Sequence, residues 1–125
     1  MTVEKVLNLF EKECENDISI DLKQQWISEL DRKISNELNK GRAGLSYTAY
    51  TPSDSIDTLL NAPEEYSEVY IAYLKMKLNC MLCEIERYNN SAAIFNRLFY
   101  EMSNYISRNF RCEKNNSLKV ELNNV

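Results

Sequence analysis

The sequence contains no histidine in its 125 residues. Because histidine is the usual general base and the commonest metal ligand, its absence removes the ordinary signs of catalysis and of metal binding. No glycine-rich phosphate loop exists either, since the only two glycines are Gly41 and Gly44, three residues apart. We therefore expect no catalytic residues, no cofactor and no metal site.

Long apolar runs and a basic N-terminal segment are also missing. No run approaches the ~18 consecutive apolar residues that a membrane-spanning helix needs. The N-terminal stretch of residues 1–13 carries acidic residues inside its apolar pattern, which is not the pattern of a signal peptide. We therefore predict a protein of the cytoplasm that makes no contact with a membrane.

Strong helix breakers are few, and they are confined to one segment. Gly41, Gly44, Pro52 and Pro63 are the only glycines and prolines. We therefore predict helices before and after residues 41–63, an irregular stretch that we call the hinge segment. The predicted fold class is all-α, with four to five helices around this segment.

Two apolar stripes with helical spacing indicate two helices before the hinge segment. Thr2 is placed to cap the first helix, and the second begins near Ser19 to Asp21, where Asp21 and Gln24 resemble a capping box. Gly41 suits the left-handed cap that ends a helix. The stripe residues are Val3, Val6, Leu7, Phe10 and Cys14, then Ile27, Leu30, Ile34 and Leu38.

One apolar series runs through the whole chain after the hinge segment. It continues without a phase slip across Asn89, Asn90 and Ser91, three residues that favour turns and helix caps. An unbroken helix of this length would span roughly 67 Å, too long for a domain of this size. We therefore predict a helical hairpin or a kinked helix with its break near Asn90. The alternative is one continuous helix whose stripe a neighbouring subunit covers.

Cysteines are the only residues here that suggest reactive chemistry. Of Cys14, Cys80, Cys83 and Cys112, only Cys80 and Cys83 form a CxxC pair. Redox pairs of this kind place one thiol at a helix N-terminus, whereas this pair lies in the middle of a helical pattern. Reduced thiols beside the core are therefore the favoured interpretation, and a thiol redox or zinc protein is the alternative.

Charge is distributed unevenly along the chain. The net charge of −4 argues against general nucleic-acid binding, which needs a basic surface. Residues 1–86 hold 9 basic and 16 acidic side chains, whereas residues 87–119 hold 6 basic and 2 acidic ones. Such a molecule can complement a copy of itself head to tail. The alternative is that these charges only keep helix faces solvated.

Two groups of side chains are candidates for an interface. Arg97, Arg108 and Arg111 fall within about 60° of one another on a helical wheel, opposite the apolar stripe. Such a ridge can meet an acidic neighbour or face passing DNA. The second group consists of tyrosines in or near the hinge segment, namely Tyr47, Tyr50 and Tyr66.

Several segments between residues 45 and 110 resemble the small head–tail connector proteins of tailed phages and prophages, also called head-completion or adaptor proteins. The most specific segment is Glu84–Asn96, which contains RYNNSAAIFN, and Ser103–Arg108 is similar too. Ala62–Tyr66 and Tyr70–Leu74 extend the resemblance. It implies a mostly helical protein that assembles as a ring below the portal and joins the DNA-filled head to the tail.

The resemblance also implies partners and a location. The partners are the portal protein, other copies of the chain and the downstream head–tail stopper protein, with DNA passing through the ring. The location is the host cytoplasm during assembly and the virion neck afterwards. We expect one helical connector domain at 1–112 and a flexible tail at 113–125. The alternative is a small host protein that binds or regulates a partner without catalysis.

Overall fold

The computed structural model describes residues 1–45 and 49–110. These residues confirm the all-α prediction, since they contain helices and no strand apart from one isolated bridge between Thr2 and Leu59. None of the helices in these ranges is long and apolar enough to cross a membrane. The elements are α1 (Val3–Glu13), α2 (Ile20–Ile34), a π-helical turn (Ser35–Asn39), a 3₁₀ turn (Glu64–Tyr66), α3 (Glu68–Met81) and α4 (Ile85–Asn109).

Local sequence signals set the ends of the first two helices. The backbone N–H of Lys5 donates to Thr2 Oγ1 (3.2 Å), which confirms Thr2 as the cap of α1. The cap of α2 is Ser19, whose Oγ accepts from the Leu22 N–H at 3.3 Å, rather than Asp21. Gly41 has a φ of 80°, so it terminates the helical path in the left-handed conformation that the sequence predicted.

The break between the last two helices is at residues 82–84, so the prediction of a break near Asn90 is wrong. Cys83 reverses the chain with a φ of 57°, while Asn89, Asn90 and Ser91 lie inside α4. Ser91 is held there because its Oγ pairs with Asn79 Nδ2 of α3 at 2.6 Å. Tertiary packing therefore overrides the weak helix propensity of these residues.

Replacing Cys83 by glycine should raise the free energy of unfolding by about 0.5–1 kcal/mol. A side chain in the left-handed region is strained against its own backbone, and glycine removes this strain. Leu82→Gly is the matched control, because Leu82 has a right-handed φ of −80° and should lose a similar amount of stability. Urea unfolding of both variants measures the difference, and equal signs for the two would contradict the assigned turn.

The four helices form a bundle in which α3 is central. Helix α4 runs antiparallel to α3, with the rings of Tyr73 and Phe95 5.2 Å apart. Helix α2 also runs antiparallel to α3, because Asp31 contacts Tyr70 whereas Glu29, earlier in α2, pairs with Lys77, later in α3. Helix α1 runs parallel to α3, since the N-terminal ammonium pairs with Glu64 just before α3 and Glu13, at the end of α1, pairs with Lys75 further along α3. The apolar stripes that the sequence revealed therefore cover one another within a single chain.

The bundle has two distinct ends. At the first end lie the α1–α2 connection and the α3–α4 turn. At the second end lie the N-terminus, the hinge segment and the end of α4, where Arg42 Nη1 donates to the Phe110 carbonyl (3.0 Å). Within the hinge segment, hydrogen bonds such as that from the Asp54 N–H to the Thr51 carbonyl (2.9 Å) form turns.

Candidate interaction surface

A buried carboxylate holds the hinge segment against the bundle. Asp31 of α2 is fully buried, and its two oxygens accept four hydrogen bonds. The donors are Tyr50 N–H (2.7 Å), Asn61 N–H (2.9 Å), Asn61 Nδ2 (3.0 Å) and Tyr70 O–H (2.7 Å). Because these donors come from both parts of the hinge segment and from α3, one side chain fixes three elements together.

Tyr70 completes this network from the side of α3. Its hydroxyl donates to Asp31 and accepts from the Ala62 N–H at 3.0 Å. Burial raises the pKa of Tyr70 well above its ordinary value, and the charge of Asp31 raises this pKa further. The hydroxyl therefore stays protonated, and residues 50–62 are a fixed part of the surface. No local pattern in the sequence indicates this network, although Asp31 stands four residues after Ile27, within the apolar stripe of α2.

Tyr50 is not an interface residue, so that prediction is wrong. Only 1% of its surface is exposed, because the Asp31 hydrogen bond draws its backbone into the core. Burial raises the pKa of Tyr50, with a smaller contribution from the charge of Asp54. The side chain therefore packs in the core instead of presenting its ring to a partner.

Tyr66 lies at the surface, half-buried, and packs on α4. Its ring centroid is 5.2 Å from that of Tyr105, and Phe110 approaches Tyr105 at 6.3 Å. Burial and the charge of Glu65 raise the pKa of Tyr105. Tyr66 and Tyr105 line a shallow notch of about 240 Å³ together with Arg108 and neighbouring residues of α4. The structure thus brings two predicted interface residues, Tyr66 and Arg108, to one place.

The predicted arginine ridge lies on the outer face of α4. Arg97 and Arg108 are both exposed, and their positions are about 20° apart around the helix axis. Glu101 lies about 40° from Arg97 on the same face, so the described part of the ridge carries a balance of one positive charge. Such a weakly basic ridge is better suited to a protein contact than to phosphates. Arg111 and Tyr47 lie outside the described residues.

Folding converts the charge asymmetry of the sequence into an asymmetry of surfaces. Residues 11–23 and 80–87 at the first end hold seven acidic and three basic side chains; we call this the acidic end. Six basic and two acidic side chains lie in residues 32–42 and 97–110, which come mainly from the end of α2, the π-helical turn and α4. We call this surface the basic side. The hinge segment and 3₁₀ turn add four carboxylates. Among them, Glu64 pairs with the N-terminal ammonium, whereas Glu65 lies beside Tyr105 of α4.

A groove between α1, α3 and α4 is the second surface feature. It has a volume of about 440 Å³, and Leu9, Ile71 and Leu98 form its apolar floor. Charged pairs border it, with Glu13 and Lys75 at the acidic end. Its residues come from three distant parts of the chain, so no local pattern predicts it.

The thiols of the described residues differ in exposure. Cys14 is half-buried at the end of α1, whereas Cys80 and Cys83 are exposed at the α3–α4 turn. No group of three or more potential metal ligands occurs within residues 1–45 and 49–110. A zinc site would therefore need ligands from another part of the chain or from a second molecule.

Comparisons with protein-family models, with curated proteins and with solved structures each find no match. The function proposed for this chain therefore rests on the surfaces described above and on the sequence resemblance of residues 45–110.

Proposed function

We propose that this chain is a structural virion protein of a tailed phage or prophage, which forms a ring under the portal and joins the head to the tail. The observation that carries this proposal is the separation of the acidic end from the basic side on one rigid helical body. The segments that resemble head–tail connectors, above all Glu84–Asn96 and Ser103–Arg108, lie in α4 or directly before it.

The charge distribution supports contacts between unlike surfaces of identical copies. A contact between two different surfaces of the same protein is heterologous, and such contacts generate a ring when the rotation closes. Acidic-to-basic juxtaposition sets the order of the subunits, because a reversed neighbour would bring like charges together. The acidic end holds seven acidic and three basic side chains, and the basic side holds six basic and two acidic ones.

The ridge and the notch on α4 supply the specific contacts in this proposal. Arg97 and Arg108 meet carboxylates of a neighbouring copy or of the portal, and the Tyr66–Tyr105 pair offers aromatic area beside them. The portal and the downstream stopper protein are the other partners. Assembly takes place in the host cytoplasm, the mature protein lies in the virion neck, and DNA passes through the ring without specific recognition.

Charge reversal tests the proposal directly. The double variant Arg97→Glu with Arg108→Glu should fail to form rings with purified portal protein, as seen by electron microscopy or native mass spectrometry. Lys12→Glu with Arg87→Glu is the matched control, because it changes the net charge equally at the acidic end, where both side chains are exposed. The control protein should still assemble.

Two outcomes have different meanings. If the wild-type chain neither binds the portal nor assembles on it, the proposed function is wrong. If rings form equally well with both double variants, the connector function stands but the α4 ridge is removed from the interface. Circular dichroism of each variant checks that the helices are intact, which we expect because all four positions are exposed.

The groove favours a second candidate function, a small host protein that binds a partner helix. An apolar floor between charged borders is the form of site that accepts the apolar face of an amphipathic helix. The genes beside this one separate the two functions: portal, terminase and capsid genes are expected for a connector. Their absence, together with no binding to any portal, would favour the host protein.

A further inference from the structure

The structure changes the chemical setting of the CxxC pair. From the apolar series alone, Cys80 and Cys83 are predicted to lie in the middle of a helix, where neither thiol is at a helix end that would alter its reactivity. In the folded chain Cys80 lies in the last turn of α3 and Cys83 lies two residues beyond its end. Both are exposed at the tip of the α3–α4 hairpin.

The turn brings the two cysteines close enough to be bridged. The Cys83 N–H donates to the Cys80 carbonyl at 3.1 Å, which closes a turn from residue i to residue i+3. Such a turn holds the two Cα atoms within about 7 Å. Disulfides span Cα separations of about 4.4–6.8 Å, so the turn brings the two cysteines into the range of Cα separation that a bridge requires.

The backbone at Cys83 is a second and independent observation. Cys83 is the only described residue other than glycine with a positive φ, at 57°, in a position where glycine is the residue of least strain. A backbone outlier of this kind motivates a functional hypothesis for the side chain that it carries. The functional group that Cys83 presents at this position is an exposed thiol.

We propose that Cys80 and Cys83 form a reversible dithiol–disulfide site at the tip of the α3–α4 hairpin. Its co-reactant is a low-molecular-weight disulfide of the glutathione class. The site does not depend on the connector function, because it uses only the geometry of the turn. Closing the bridge ties the last turn of α3 to the residue that begins the path into α4.

The exchange proceeds in two steps that balance. The thiolate of one cysteine attacks the low-molecular-weight disulfide, forms a mixed disulfide and releases one thiolate. The thiolate of the second cysteine then attacks the sulfur of the first, forms the Cys80–Cys83 bond and releases the second thiolate. The two protein thiols lose two electrons, the small disulfide gains them, and the two protons pass to the released thiolates.

The test uses the full chain in a Cys14→Ser, Cys112→Ser background, which leaves only the two thiols of the turn. The protein is equilibrated with oxidised and reduced glutathione at about 0.1 mM total and analysed by alkylation and mass spectrometry. A neighbouring thiol has an effective concentration in the millimolar range, so the internal bridge should exceed the glutathione adduct by about tenfold. The product should be lighter than the reduced protein by the mass of two hydrogen atoms.

Three variants serve as controls. Cys80→Ser and Cys83→Ser leave a single thiol, which should collect the glutathione adduct instead. Cys80→Ser with Met81→Cys keeps two thiols but moves the first thiol about 100° around α3, away from the position whose carbonyl closes the turn with Cys83. All these positions are exposed, so the variants should fold, which circular dichroism verifies.

The opposite result is equally distinct. If glutathione adducts persist on the two-thiol protein at the level of the single-thiol variants, the proposal is overturned. It is also overturned if both thiols of the two-thiol protein can still be alkylated at a ratio of oxidised to reduced glutathione that converts the single-thiol variants to glutathione adducts. Neither result affects assembly with the portal, so failure of this site and failure of the connector function are distinguishable.

Discussion

Replacing Asp31 by alanine should lower the free energy of unfolding by about 3–5 kcal/mol, because buried polar groups that lose their partner cause some of the largest losses that single substitutions produce. The substitution leaves four buried donors without an acceptor, and each unsatisfied donor costs about 1–3 kcal/mol before the structure relaxes. Because those donors lie in the hinge segment and on α3, we also expect residues 50–62 to lose their fixed position. Urea unfolding and amide hydrogen exchange measure the two effects.

Two further variants separate the network from the general effect of losing a carboxylate. Asp57→Ala removes an exposed carboxylate from the same segment and should change stability by less than about 0.5 kcal/mol. Tyr70→Phe removes one of the four donors. Its loss of unfolding free energy should lie between those of Asp57→Ala and Asp31→Ala, at about 1–3 kcal/mol. Equal losses for Asp31→Ala and Asp57→Ala would refute the role of Asp31 as the residue that holds the hinge segment.

Replacing Phe95 by alanine should also lower the free energy of unfolding by about 3–5 kcal/mol, because it opens a cavity between α3 and α4. Phe95 is only 6% exposed and packs against Tyr73 and Phe99, whose ring centroids lie at 5.2 and 5.7 Å. Helices α3 and α4 are held together largely by such contacts. The variant should therefore still unfold in one cooperative transition, at a lower urea concentration than the wild-type chain.

Ile94 provides the matched control for this prediction. It is the adjacent residue on α4, and 49% of its surface is exposed. Ile94→Ala should therefore change stability by about 1 kcal/mol or less. If α3 and α4 formed one continuous helix, Phe95 would face solvent in the isolated chain. The two substitutions would then have similar effects, so similar values measured on the monomer would contradict the hairpin.

Local interactions made the helices predictable from the sequence. Thr2 caps α1, Gly41 takes the left-handed conformation after the π-helical turn, and the apolar stripes identify the buried faces. Each of these signals acts within one or two helical turns, so neighbouring residues are sufficient to show it. The exposure of Arg97 and Arg108 follows in the same way from their position opposite a buried stripe.

The turn between α3 and α4 illustrates why the pattern after the hinge segment misled. The apolar series continues across the turn because Met81 and Ile85 extend it, although both are exposed at the tip of the hairpin. Asn90 had the propensity of a break, but it is exposed on α4, where its weak helix propensity costs little. Cys83, which makes the reversal, is not a residue type that favours turns. Residue propensity therefore predicted a break near Asn90, whereas the packing of α3 against α4 places the turn at Cys83.

The interface candidates were predictable only in part, for the same physical reason. Tyr66 and Arg108 meet at a notch on α4, and their approach across 42 positions of the chain is a property of the fold. Tyr50 was a reasonable candidate by residue type, yet its backbone hydrogen bond to Asp31 draws the ring into the core. Burial of a single side chain in an irregular segment depends on partners that no local pattern specifies.

By itself, the sequence determined the helical class, the N-cap of the first helix, the position of the irregular segment and the outer face of α4. These follow from short-range hydrogen bonding and from the 3.6-residue period of a helix. Only the tertiary structure decided where α3 turns into α4, which tyrosines are buried and which surfaces carry opposite charge. Asp31 shows the reason: it joins residues 19 to 39 positions away, and such contacts exist only after the helices have packed.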